Sequence, residues 1–245
     1  MLLAALVPLT LFVGCATTND DWRTASHEPA GLAPDPAVAR EAIVQVYSAR
    51  AFGWRRYFGV HTWIAVKPAD ASAYTVYEVI GWNLRWSDTA VSIATRAPDA
   101  RWYGAMPEVL AEKRGPEAAA LLARIDKAAR SYPWAGEYTV WPGPNSNTFT
   151  AWVLREVPEL RADLPPTAIG KNYLGAQLVG RAPSGSGGQV TLFGLLGATA
   201  SSVEGLEVNV LGLTFGIDPW PVAFKLPFAG RVGFRSDPDV AEGAP

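Results

Sequence analysis

Cysteine is nearly missing from this 245-residue chain: there is one, Cys15, at the end of an N-terminal apolar run. A single thiol in that place excludes internal disulfides and thiolate metal sites, and leaves the rest of the chain without a cysteine nucleophile. Histidine is almost as scarce, with only His27 and His61, so neither a zinc site nor any other cofactor is expected. Basic clusters are missing too. The 21 basic and 23 acidic residues intermingle to a net charge of −2, which leaves no face to track phosphates and excludes nucleic acid as a partner. The densest basic spot, Arg55-Arg56, reads as a solvated turn. There is no Gly-x-Ser-x-Gly elbow, no Walker-type loop and no dinucleotide fingerprint. Asp99, Glu108 and Glu112 could supply paired carboxylates for glycoside hydrolysis, but nothing in the sequence fixes their spacing.

What the chain does have begins at its start. Leu2–Gly14 is apolar apart from Pro8 and Thr10, too short for a membrane span and right for a secretory segment. Its end, Phe12-Val13-Gly14-Cys15, resembles a bacterial lipobox, which implies lipidation of Cys15 and a protein anchored in the cell envelope. Ala16 after the cysteine points to the periplasm-facing outer membrane. Residues 1–15 are thus expected to be a lipoprotein signal peptide. Residues 16–36, polar and punctuated by Pro29, Pro34 and Pro36, are expected to be a flexible tether that contains an exposed, inert His27.

The folded region is expected from Ala37. Apolar residues are 49% of the chain and include ten Trp, enough for a substantial core without staples. Ala42–Ser48, Val60–Lys67, Tyr74–Ile80 and Thr89–Thr95 read as strands from their β-branched and aromatic content. Glu108–Lys113 and Pro116–Ser131 read as helical. In the second, Ala118, Leu121, Leu122, Ile125 and Ala129 form one apolar stripe behind a first-turn proline. Glu137–Trp141 reads as a short strand. A Pro-Gly-Pro turn then leads into a helix from about Ser146 to Val157, with Phe149, Trp152, Val153 and Val157 as its core face. Gly170–Gly233 holds many of the glycines, between apolar strands such as Gln189–Leu196, Leu206–Leu213 and Val222–Leu226. This region is expected to be short antiparallel strands with bulges and tight turns, wrapped on the first layer. A lipid-facing apolar surface is the alternative reading of the same residues. Residues 237–245 are expected to be a disordered tail.

One constellation carries chemistry. Ser146 sits at a helix start, where backbone N–H groups and the helix dipole stabilise an anion. His61 lies on a strand, and across a hairpin centred near Asp70 the residue opposite it is about Glu78. A nucleophile, an imidazole base and a carboxylate to orient that base make an acyl-transfer set. The bland reading is equally open: Ser146 and Asn145 are favoured helix caps, and His61 is a hydrogen-bonded core residue.

His61-Thr62-Trp63 and Asn145-Ser146-Asn147-Thr148-Phe149 resemble the strand and helix-start motifs of the circularly permuted NlpC/P60 group of papain-like hydrolases and acyltransferases. In that group the helix-start position holds a cysteine. The resemblance spans roughly residues 42–160. It implies an α+β, permuted papain-like (NlpC/P60-like) core of antiparallel sheet packed on helices over 37–167, with a glycine-rich β extension over 168–236. It makes Ser146, His61 and Glu78 candidate catalytic residues and Asn145, Asn147 and Trp63 candidate ligand-binding residues. More closely, Val46–Pro68, Trp141–Pro158 and Gly205–Gly233 resemble a bacterial family known as domain of unknown function 3750. Three functions follow: a non-catalytic cleft binding an envelope peptide, glycan or lipid; a serine-dependent amidase, esterase or acyltransferase; or a scaffold lipoprotein that recognises partners through its glycine-rich surface.

Overall fold

The computed structural model describes residues 21–219 and 221–233; Cys15, the signal segment and the tail expected over 237–245 lie outside them. The fold is α+β in composition and mostly sheet. Its first layer is built from β1 (Ile43–Arg50), β2 (Val60–Lys67), β3 (Thr75–Val79), β4 (Val91–Thr95) and β5 (Pro107–Arg114), followed by helices α1 (Gly115–Arg130) and α2 (Ser146–Glu156). The five strands form one antiparallel sheet in the order β4-β3-β2-β1-β5.

Both faces of this sheet are buried, as the two-sided apolar texture of β1 and β2 requires. Alternation sends Val44, Val46, Ile64, Val66, Tyr77 and Val79 to one face, where they pack against Leu121, Ile125 and Ala129 of α1 and Phe149 and Val153 of α2. Each such fully buried aliphatic or aromatic side chain contributes about 1.5–3 kcal/mol. The opposite face carries Ile43, Tyr47, Ala49, Trp63, Ala65 and Val76. Part of the expected tether covers it. Ala30 N donates to Asp99 O, Leu32 N and Ala33 N donate to the Asp99 carboxylate, and Tyr74 donates its hydroxyl proton to Pro34 O. The described stretch from Trp22 to Pro36 is therefore not a free tether, and His27 stacks edge-on against Tyr103.

Three other expectations are corrected. Glu108–Lys113 is not helical: it lies in β5 and pairs with β1 from Ile43↔Arg114 to Ala49↔Pro107, with a register shift between Val46 and Tyr47. A six-residue segment has no period long enough to decide, and the open edge of β1 captures it as a strand. Glu137–Trp141 is not a strand. Tyr138 instead lies across Gly81, where an added Cβ would run into its ring. Gln189–Leu196 and Leu206–Leu213 are each broken by a turn, at Phe193-Gly194 and at Leu211-Gly212.

The C-terminal region forms a second antiparallel sheet of β6 (Val179–Arg181), β7 (Gly188–Leu192), β8 (Leu196–Ser201), β9 (Gly205–Val210), β10 (Leu213–Pro219), β11 (Val222–Leu226) and β12 (Gly230–Gly233). Its order is strictly sequential, a meander of hairpins.

Candidate functional site

The start of α2 is a knot of buried polar side chains. Asn145 is the N-cap: its Oδ1 accepts from Asn147 N (3.0 Å) and Thr148 N (3.2 Å), while Thr148 Oγ1 accepts from Asn145 N (3.1 Å), a complete capping box. The Asn145 amide nitrogen donates to Val140 O and Ile169 O, each at 3.1 Å. Asn147 donates through Nδ2 to Val60 O and Ile169 O, and Thr148 Oγ1 donates to Gly170 O. Thr62 Oγ1 lies beneath, within 3.4 Å of Ser146 O, 3.0 Å of Asn147 Oδ1 and 2.9 Å of Thr150 Oγ1. These bonds tie the helix start to the first residues of β2 and to the segment that leads into the second sheet. Ser146 itself is buried, and its Oγ makes no hydrogen bond among the described residues.

His61 stands on the other face of the sheet. Thr62 points at α2, so its neighbours on β2 must point away. The imidazole stacks on Trp102 (centroids 3.6 Å apart, planes at 9°) and leans towards Trp63. His61 Nε2 donates to Glu78 Oε2 at 2.9 Å, and Arg96 Nη2 holds Glu78 Oε1 at 2.9 Å. Burial lowers the His61 pKa, against the opposing pull of the Glu78 hydrogen bond and charge. Burial alone would raise Glu78, but the hydrogen bonds and charges of its two basic neighbours outweigh it and hold the carboxyl below its usual range. Trp63 is fully buried and donates Nε1–H to Pro98 O.

The structure thus brings His61 and Glu78 together and keeps Ser146 apart from them, with the sheet between. The period of two decides this: one residue along β2 separates the α2 face from the His61 face. The three residues do not form a nucleophile–base pair. Asn145 and Asn147 bond to the backbone of the neighbouring segments, and Trp63 to Pro98 O. Glu78 meets His61 diagonally, because the register is Ile64↔Tyr77 and ladder pairing stops short of His61. Arg96 and Trp102, which complete the His61 environment, come from the end of β4 and from a loop; no local pattern in the sequence points to either.

The second sheet presents a different surface. In most half-exposed sheets the apolar face is inward; here the polar face is. Gln189, Thr191, Thr199, Glu207, Asn209, Thr214 and Lys225 are buried, several of them against the 163–174 segment that follows α2. Lys171 and Lys225 both reach Glu207, and Lys225 also pairs with Asp163 at 2.6 Å. Asn209 Nδ2 donates to Gly194 O, and Ser184 donates to Glu204 from both its amide and its hydroxyl. The outer positions of β7 to β11 are all apolar or glycine, with Val190, Leu196, Val208, Phe215 and Phe224 each roughly half exposed. Val190, Leu206, Val208, Phe215, Ile217 and Phe224 line an open concavity of about 820 Å³.

The hairpin tips at one end of this sheet continue the theme. The β7–β8, β9–β10 and β11–β12 turns carry Phe193, Leu211 and Phe228, 50%, 63% and 62% exposed. Phe193 and Leu211 both have φ 51°. The left-handed region costs a bulky L-residue about 1–2 kcal/mol, and a two-residue hairpin turn such as Leu211-Gly212 favours Asn or Gly at its first position. Two of the three turns at the opposite end, Ala182–Gly187 and Ser202–Glu204, carry Ser184, Ser186 and Ser202, while the β10–β11 connection holds Pro219 and Pro221.

Among the described residues no group of three or more His, Cys, Asp or Glu is placed to hold a metal. No described helix is long and apolar enough to cross a membrane. The family model described as "Protein of unknown function (DUF3750)" matches residues 41–173, which cover the first sheet and both helices. No curated protein and no solved structure matches the chain.

Proposed function

We propose, for a chain that belongs to the DUF3750 family, that it is a lipid-anchored protein of the cell envelope that acts by binding rather than by catalysis. Cys15 is its attachment point, and the outer face of the second sheet is its working surface. The observation that carries this reading is the placement of His61: it faces away from Ser146, so its imidazole does not stand beside the serine hydroxyl, which needs a general base to attack. The first layer is read as a degenerate papain-like core. The helix start still lies over the central strand, but a threonine occupies the position that faces it and the histidine belongs to the opposite face. What the helix start now supports is the join to the second sheet, through Ile169 and Gly170.

Labelling of the full chain with a fluorophosphonate probe tests the non-catalytic part. No labelling above that of Ser146→Ala is expected. Labelling abolished by both Ser146→Ala and His61→Ala would overturn the proposal. Mass spectrometry of the N-terminal peptide tests the anchor: a diacylglycerol-modified Cys15 is expected.

A further inference from the structure

We propose that the outer face of the second sheet, with the hairpin tips Phe193, Leu211 and Phe228, is a membrane-docking surface that sits in the headgroup and upper acyl region of a lipid bilayer. The inference extends the reading of a lipid-anchored binding protein given above.

Three observations favour a bilayer over a protein partner. The first is extent. At roughly half exposure each, the outer apolar side chains offer on the order of 1,000 Å² to solvent, against ~300–600 Å² for the largest patch of a typical monomer. The outer positions of β7 to β11 carry no charge and no hydrogen-bonding side chain, so nothing there would select a protein partner by polar complementarity.

The second is the tips. A second copy of the chain, packed face to face, would cover the outer face but leave side chains that project from the end of the sheet in water. A bilayer covers both. Phe193 and Leu211 hold backbone conformations that asparagine or glycine adopts more easily, and their side chains pack on little of their own fold.

The third is reach. Only six residues lead from Cys15 to Asp21, where the described chain begins. Fully extended they span at most ~20 Å. An acylated Cys15 would keep the domain within that distance of a lipid surface. The strands of β7 to β11 have five to seven residues, short of the ~9–11 that a spanning strand needs, so the sheet lies on the membrane rather than crossing it.

The test uses the full chain reconstituted through its own anchor into phosphatidylcholine vesicles. With Cys15 acylated no thiol remains, so a single cysteine at Phe193→Cys, Leu211→Cys or Phe228→Cys carries an environment-sensitive fluorophore alone; Asp70→Cys, exposed on the first layer, is the reference. The tip labels are expected to be quenched several-fold by nitroxides on the lipid chains and shielded from iodide, and the Asp70 label to show the reverse. Tip labels that stay open to iodide on vesicles overturn the proposal. So does shielding that develops equally without lipid as protein concentration rises, which would assign the face to a second copy. The anchor is judged separately by the mass of Cys15. An acylated chain with wet tips refutes the docking alone. An unacylated chain, then studied with Cys15→Ser, whose tips are still lipid-quenched refutes the anchor alone. Phe193→Asn with Leu211→Asn suits the turns and is expected to keep or raise the melting temperature while lowering the quenching of a Phe228→Cys label several-fold. A purely structural role for these side chains would lower the melting temperature and leave the quenching unchanged.

Discussion

Asn145→Ala separates a structural asparagine from a ligand-binding one. The side chain accepts from two amides of the first helical turn and donates to two carbonyls, Val140 O and Ile169 O. Loss of an N-cap costs about 0.5–2 kcal/mol. The two donated bonds add a net of about 0.5–1.5 kcal/mol each. The sum is about 1.5–5 kcal/mol. For a domain of this size one kcal/mol moves the melting temperature by about 2–4 °C, so a fall of about 3–20 °C is expected by calorimetry or circular dichroism. Gly170→Ala should do the same by another route. Its φ is +99°, and an added Cβ would lie 2.6 Å from the Asn145 amide. Ser146→Ala is the internal control, because its hydroxyl makes no bond to lose; a change within about 0.5 kcal/mol is expected. An Asn145→Ala protein that melts within about 2 °C of wild type would refute the reasoning and return the residue to the list of ligand contacts.

Glu207→Ala leaves Lys171 and Lys225 buried without their shared carboxylate, and a loss of about 3–5 kcal/mol is expected in urea unfolding. Acid should weaken the fold through His61. Its folded pKa is lowered, so its contribution is fully present above the unfolded value of about 6.5 and declines below it, as the unfolded chain takes up the proton first. Glu78, also lowered, adds a loss in the same direction at lower pH. Melting temperatures measured from pH 7.5 to 5 should therefore fall in wild type and fall less in His61→Gln.

The helix α2, its cap and most of the first sheet are legible in the sequence because each has a local cause: the asparagine before the helix, the proline after it, the β-branched runs. The contact between His61 and Glu78 is legible from hairpin arithmetic, which tolerates an error of two because diagonal neighbours share a face. The side on which His61 stands is not legible. Val-His-Thr-Trp-Ile-Ala-Val-Lys is nearly as apolar at odd positions as at even ones, so the strand does not say which face the helices cover. The second sheet misleads in another way. Its alternation is plain in Leu-Glu-Val-Asn-Val, but the usual assumption that the apolar half turns inward inverts it. Only the buried lysines and glutamate between the layers reveal the true sense.

The strand order of the two sheets sets a timetable for folding. In the meander every neighbour in space is the next strand in sequence, and each pairing closes a short turn. The β1–β5 pairing instead joins Ala49 to Pro107 across nearly 60 residues, and the entropy of that closure exceeds that of a four-residue hairpin loop by about 2 kcal/mol. The C-terminal sheet, made from the last third of the chain, therefore has the smaller entropic barrier, and the edge strand of the first sheet has the larger.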